Sequence, residues 1–281
     1  MNTTIPFGTT VPFPRHALPG YYALSDLPDQ ANILKDAMST GWDEMDKILK
    51  IYPTQLVVVT GSAGSGKSTF LYNLLIRLCT NPANGGKRSW LYIPENEINI
   101  VEKMEGLFAS KNEFSKFASQ MCFVQSSNYE HYNDDPRDIE WILERAYTSW
   151  QKDKIDFVMI DPWNELERAK QKDELLTDYI GRCLMRVKMF AKTTGCTVFM
   201  VAHPTKAANG REVTLADIEG SMNWFNKCDN GLIVKRNPLD TIVFSAKVRQ
   251  QPQAGHLGHC IFLVDPQTGV FREQVGGGQI L

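Results

Sequence analysis

Between Gln55 and Leu78 the chain reads QLVVVTGSAGSGKSTFLYNLLIRL. A strand-like apolar run, Leu56–Thr60, meets a glycine-rich turn, and helix-spaced apolar residues follow. The turn, Gly61-Ser62-Ala63-Gly64-Ser65-Gly66-Lys67-Ser68, fits G-x-x-x-x-G-K-[ST], and Thr69 completes the run. Glycines without Cβ let successive backbone N–H groups turn inward around phosphate oxygens. A helix starting near Lys67 brings its positive N-terminal end to the same point. The Lys67 ammonium suits the β- and γ-phosphates, and the Ser68 hydroxyl suits Mg²⁺. The stretch therefore predicts an α/β fold that binds a nucleoside triphosphate, ATP or another NTP or dNTP, together with Mg²⁺.

The rest of the chain repeats the alternation. Ser89–Ile93, Met121–Gln125, Phe157–Ile160 and Thr197–Ala202 read as short apolar strands. Helical patterns lie at Ser68–Cys79, Asn99–Ser110, Pro136–Trp150 and Lys172–Thr194, and such alternation predicts a mostly parallel sheet covered on both faces. After Asp229 the spacing tightens: Gly231–Lys235, Thr241–Lys247, Cys260–Val264 and a piece near Val270 predict antiparallel strands extending one edge. Residues 1 to about 20 read as an extended, proline-containing linker, and Ile33, Leu34, Ala37 and Met38 as the apolar face of a short helix. The expected organisation is a linker with that helix over 1–40, an ATPase domain over 41–273 and a mobile tail over 274–281.

Composition narrows the function classes. No apolar run approaches the roughly 20 residues of a membrane span. The first residues lack the order of a secretory signal. Six cysteines occur without any C-x-x-C, which suits reduced core thiols and an expected cytoplasmic setting, that of a phage-infected cell included. His256 and His259 form an isolated H-x-x-H without a supporting ligand cluster. A net charge of −2 means that contact with nucleic acid has to come from a few local Lys and Arg residues, which a ring of subunits would repeat around a channel.

Three further strand ends carry polar groups. Asp161 closes FVMID, where a carboxylate could hold Mg²⁺ through water. Glu95 closes WLYIPE, where it could orient or deprotonate the attacking water, with Glu97 as its neighbouring competitor. His203 closes VFMVAH, where an imidazole could sense the γ-phosphate or simply cap the strand.

Taken in order, GSAGSGKST, LYIPENE, MIDP, VAHP, DIEGSMNWFNKCDNGLIVKR and AKVRQQPQAG resemble the DnaB-like hexameric replicative helicases, in their phage-type and Twinkle-like branch. The resemblance runs from about Gly41 to Gly269 and implies a RecA-like motor domain. It implies that Glu95 is the catalytic glutamate, Asp161 the Mg²⁺-associated aspartate and His203 the γ-phosphate sensor. Lys247 and Arg249 match a basic pair reaching the neighbouring subunit's ATP site, with Arg249 as the arginine finger. Arg236 and Phe262 fall where relatives hold the base.

By the same resemblance the segments Thr205–Arg211 and Gly220–Lys227 face single-stranded DNA. Lys206, Arg211 and Lys227 would meet phosphates and Asn223 would donate a hydrogen bond, whereas Trp224 reads better as a packed residue. Residues around 25–38 would dock on the adjacent subunit of a homo-oligomeric ring, a hexamer by the resemblance. That branch carries a primase or primase-like region ahead of this domain, and only about 40 residues precede it here. The chain is then either a helicase acting with a separate primase or polymerase, or part of a longer protein. The expected activity is ATP-dependent 5′ to 3′ unwinding. A RecA-like recombinase and a regulatory or loading ATPase without unwinding are the two alternatives.

Overall fold

A computed structural model describes residues 35–126, 137–205, 212–220 and 222–274. Nine strands form one sheet: β1 (Leu56–Thr60), β2 (Ser89–Tyr92), β3 (Cys122–Val124), β4 (Phe157–Ile160), β5 (Thr197–Val201), β6 (Asn230–Arg236), β7 (Thr241–Val248), β8 (Gly258–Val264) and β9 (Phe271–Glu273). Their spatial order is β3-β2-β4-β5-β1-β6-β7-β8-β9. Every pairing from β3 to β6 is parallel, and those joining β7, β8 and β9 are antiparallel.

Seven α-helices lie among the described residues: α1 (Asp43–Ile48), α2 (Lys67–Thr80), α3 (Ile100–Glu105), α4 (Lys111–Gln120), α5 (Ile139–Asp153), α6 (Leu176–Thr194) and α7 (Asn223–Lys227). The period-2 alternation of strand side chains divides the core in two. Val57, Val59, Leu91, Met159, Phe199 and Val201 pack with α1 to α4, whereas Leu56, Val58, Trp90, Val158, Val198 and Met200 pack with α5 to α7. Both faces of the central strands are apolar for this reason, and β1 is buried throughout.

Helix α6 shows the logic in one element. Ile180, Cys183, Leu184, Val187 and Ala191 recur at helical spacing and are buried, and Gly195 ends the helix in the left-handed region. The Arg186 guanidinium then grips Glu140 of α5 through two 2.8 Å bonds. Helix α2 is held more tightly still. The side chain of Asn73 donates to the Gly269 carbonyl at 3.0 Å and accepts from the Phe271 N–H at 3.0 Å, pinning the phosphate-loop helix to the β8–β9 turn.

Three differences from the sequence expectations stand out. Strand β6 is parallel to β1, because the chain crosses over through α7 after β5 instead of turning back as a hairpin. The single helix expected over 99–110 stops at Glu105, and α4 follows, with Ser110 capping it through its hydroxyl at 3.3 Å from the Glu113 N–H. The packed domain also includes residues ahead of Gly41. Met38 is buried and pairs with Ile51, and Asp46 accepts from the Thr40 N–H at 2.8 Å. Met38 joins the core cluster of this chain, and Ala37 packs against it. The rest of the proposed N-terminal helix, residues 25–34, and nearly all of the proposed tail lie outside the described residues.

Candidate nucleotide site

The ends of β2, β4, β5, β1 and β6 share one edge of the sheet because these strands are parallel and in register. Tyr92 pairs with Ile160, Ile160 with Met200, and Val59 with both Val201 and Leu232. Whatever follows each strand meets there, at the carboxyl edge where open α/β sheets bind ligands. The phosphate loop follows β1. Gly61, Gly64 and Gly66 all have positive φ, at 149°, 71° and 89°. A Cβ on Gly61 would lie 2.2 Å from the Val234 carbonyl oxygen of β6, so the loop can close over that strand only with glycine. A Cβ on Gly64 would meet nothing within 4 Å, so there it is the positive φ and not crowding that favours glycine. Lys67 is buried and folds back, donating to the Gly61 and Ser62 carbonyls at 3.0 and 2.9 Å. Burial lowers its ammonium pKa, and the charges of Asp161 and Glu95 oppose that shift.

The other three strand ends complete the edge. Asp161 is held by its own N–H to the Tyr92 carbonyl at 3.0 Å. Burial pushes its carboxyl up to about 6, Ser68 hydrogen bonding pulls it down, and Glu95 adds to the rise. One carboxylate oxygen, Oδ2, is buried without a hydrogen-bond partner. An unsatisfied buried carboxylate oxygen next to the Ser68 hydroxyl is the donor set a hard divalent cation takes, so the residues fit Mg²⁺.

Glu95 is exposed, and its carboxyl is raised by partial burial and by Glu165 against the pull of Lys67. Glu97, its competitor, accepts from the Ser126 hydroxyl instead, so Glu95 is the one whose charge is felt by Lys67 and Asp161. His203 is lowered by burial and then by Lys67, which favours the neutral imidazole. Its backbone N–H donates to the Asn164 side-chain oxygen at 2.9 Å. Glu165 escaped the sequence reading. It lies four residues after Asp161 in a 3₁₀ turn, and its charge acts on both Glu95 and His203.

A family described as an AAA domain matches residues 48–209, more than half of the chain. The chain belongs to this AAA-domain family. The Twinkle homolog protein, chloroplastic/mitochondrial, of Arabidopsis thaliana is 28% identical over 285 residues, which cover 90% of this chain and 40% of that protein. The chain thus spans about two fifths of the length of this curated relative. A solved ATPase domain superposes with a TM-score of 0.69 at 16% identity, covering 84% of this chain and 91% of that one. A DnaB-like replicative helicase, solved with regard to its interactions with primase, gives 0.66 at 16% identity, over 83% and 62% of the two chains. The fold is the RecA-like one of helicase ATPase domains.

In this AAA-domain chain the remaining sequence-predicted residues fall into three places. Arg236 is exposed at the end of β6, on the same edge as the phosphate loop. Phe262 requires a correction. It is fully buried, with its ring 4.9 Å from Trp42, 6.0 Å from Phe70 and 5.6 Å from Phe271. No face of it is open to a base, so it is a core residue, and its apolar strand context could not tell the two roles apart.

Lys247 and Arg249 lie at the opposite edge. The end of β7 pairs with the start of β6, beside the beginning of β1. Lys247 Nζ donates to the Phe225 and Asn226 carbonyls, and Arg249 to those of Asn226, Lys227 and Cys228, so both cap the C-terminal end of α7. Arg249 also pairs with Asp229 at 2.8 Å.

Of the DNA-facing candidates, Asn223 donates to the Thr177 carbonyl at 2.8 Å, Lys227 is half-exposed, and Lys206 and Arg211 lie outside the described residues. Trp224 is fully buried as expected, edge-on to Trp163 at 5.3 Å. No helix among the described residues is long and apolar enough to cross a membrane.

Proposed function

We propose that the chain is the motor domain of a ring-forming, ATP-driven DNA helicase that moves on single-stranded DNA and unwinds duplex from 5′ to 3′. The carrying observation is the separation of its two basic groups. Lys67 sits in the phosphate loop, whereas Lys247 and Arg249 sit at the far edge of the same sheet. A five-residue strand at about 3.3 Å per residue puts roughly 17 Å between those edges. A finger at that distance is useless to its own nucleotide and well placed for a neighbour's. Likeness to a Twinkle homolog, and in fold to a DnaB-like replicative helicase, supports the same reading.

The chemistry follows from the residues. The loop N–H groups and Lys67 bind the triphosphate. ATP is its proposed form, with Arg236 beside the base. Ser68 and Asp161 would hold Mg²⁺, which would supply charge neutralisation for the phosphates. Glu95 takes the proton of the attacking water, and neutral His203 faces the γ-phosphate. Arg249 of the next subunit leaves its helix-capping carbonyls to stabilise charge on the transferring phosphoryl group, with Lys247 beside it. Segments Thr205–Arg211 and Gly220–Lys227 line the channel, where Lys206, Arg211, Asn223 and Lys227 hold the strand. Residues 25–34 dock between subunits of a hexamer, and a primase and a polymerase are the proposed partners, the former in trans or ahead of this domain.

Mixing two inactive variants tests the arrangement. An Arg249→Ala subunit keeps its pocket, and a Lys67→Ala subunit keeps its finger. Co-assembled rings should regain ATPase activity at junctions where an intact pocket meets an intact finger. Mixed rings that form, exchange subunits and stay inactive would refute action across the interface.

A further inference from the structure

The nucleotide edge and the finger edge are joined inside one subunit by a short chain of side chains that none of the roles above requires. The Asn164 amide sits between the two parts. Its oxygen accepts from the His203 N–H at 2.9 Å, and its nitrogen donates to Glu219 Oε2 at 3.1 Å. The Glu219 N–H returns to the His203 carbonyl at 3.3 Å, and Pro204 bridges Ile218. From Glu219 the link enters α7, because the buried Trp224 indole donates to the Glu219 carbonyl at 3.1 Å. Trp224 also packs against Trp163, the residue before Asn164. The far end of α7 is the turn gripped by Lys247 and Arg249, and Lys188 adds a bond to the Lys227 carbonyl at 3.0 Å and to Asp229 at 2.6 Å.

We infer that Asn164 and Glu219 are positioning residues that tie the His203 end of the nucleotide site to the α7 segment. A shift of the strand end at His203 moves Asn164 and Glu219 together, since each is bonded to the other and to the His203 backbone. The segment then moves as a unit, because Trp224 is buried against Trp163 and its C-terminal carbonyls are already held. Nucleotide state in one subunit thereby reaches the DNA-facing segment and, at its other end, the pair of residues offered to the next subunit. The other partner of the Glu219 carboxylate, Arg168 at 3.2 Å, makes an exposed ion pair of a kind that contributes little, so the bond from Asn164 is its distinctive contact.

This inference rests on the motor reading, and one experiment separates their failures. ATPase rates of the full chain are measured with Mg²⁺, with and without a single-stranded DNA oligonucleotide. Wild type should be stimulated. Glu219→Ala should keep its basal rate within about twofold and lose about tenfold of the stimulation, an ordinary size for coupling between sites. Glu219→Gln should stay stimulated, because its amide oxygen still accepts from Asn164. Asn164→Asp keeps an acceptor for the His203 N–H but sets a carboxylate against Glu219, so it should lose stimulation as Glu219→Ala does. It also serves if the alanine variant fails to fold. Full stimulation in Glu219→Ala and Asn164→Asp, or equal loss in Glu219→Gln, would overturn the link and leave the motor reading standing. A wild type indifferent to single-stranded DNA would overturn both.

Discussion

The two edges of the sheet handle charge in opposite ways. At the carboxyl edge, Asp161 is buried with an unpaired oxygen, Lys67 is buried on loop carbonyls, and Glu95 and His203 are shifted by burial and by neighbouring charges. At the other edge Asp229, Lys247 and Arg249 all have partners. Asp229 accepts from Lys188, Arg249 and the Leu56 N–H, and Lys247 and Arg249 cap a helix end. The first arrangement stores unfavourable electrostatics that a triphosphate and a cation would relieve. In the second, the three charged side chains are satisfied by neighbours within the chain, and those bonds would have to break for Lys247 or Arg249 to reach anything else. Asp161 keeps an oxygen that a ligand could satisfy, whereas Asp229 already has three partners.

The largest effect should come from the edge that carries Arg249. Arg249→Ala is expected to lower ATPase activity of the assembled protein by about 10³-fold or more, with nucleotide affinity little changed. Steady-state rates beside a nucleotide-binding titration check this. A near-normal rate would reduce Arg249 to a helix cap. At the other edge, Lys67→Ala should cost about 10²-fold in hydrolysis, roughly 2.7 kcal/mol of transition-state stabilisation, while circular dichroism shows a retained fold. Normal turnover in a folded Lys67→Ala protein would break the assignment of the phosphate loop itself.

Asp161→Asn sharpens the comparison through a change of opposite sign. The folded Asp161 carboxyl is raised from the ordinary 3.8 to about 6, so the folded state binds the extra proton between those values. Unfolding free energy from this group then falls as pH rises from about 4 through about 6 and stays low above it. Removing the charge should stabilise the metal-free protein at pH 7 by on the order of 1–3 kcal/mol, and not at pH 4, while Mg²⁺-dependent hydrolysis is lost. Denaturant titrations at the two pH values test it, and equal stabilities at pH 7 would show that the carboxylate is not strained. The smallest effect belongs to Phe262→Leu. A buried aromatic shortened in this way should cost about 1 kcal/mol and leave the KM for ATP unchanged. A raised KM with unchanged stability would return Phe262 to the nucleotide.

Much of the nucleotide edge was legible because its determinants are local. Strands β1 and β4 occupy the residues that their apolar runs predict, and the polar residue after each strand arrives at one edge because parallel strands share a direction. The antiparallel extension after Asp229 was legible in its spacing from β7 onward, but β6 was not, since a strand's partner and direction depend on the route taken by the preceding connection. Asn164 and Glu219 carried no signal at all, being 55 residues apart in sequence and 3.1 Å apart in space.

By itself, then, the sequence determined a phosphate loop between a strand and a helix, an apolar period that buries a sheet on both faces, and an Asp, a Glu and a His at strand ends. Those properties follow from backbone conformation and side-chain periodicity over a few residues. Only the tertiary structure decided that the charge of Glu95 bears on Lys67 while Glu97 accepts from Ser126, that Phe262 is core, that Lys247 and Arg249 stand at the opposite edge, and that α7 is tied to His203. Each of these depends on which distant segments become neighbours when the two faces of the sheet are covered, and burial and partner choice are set by that packing rather than by the local chain.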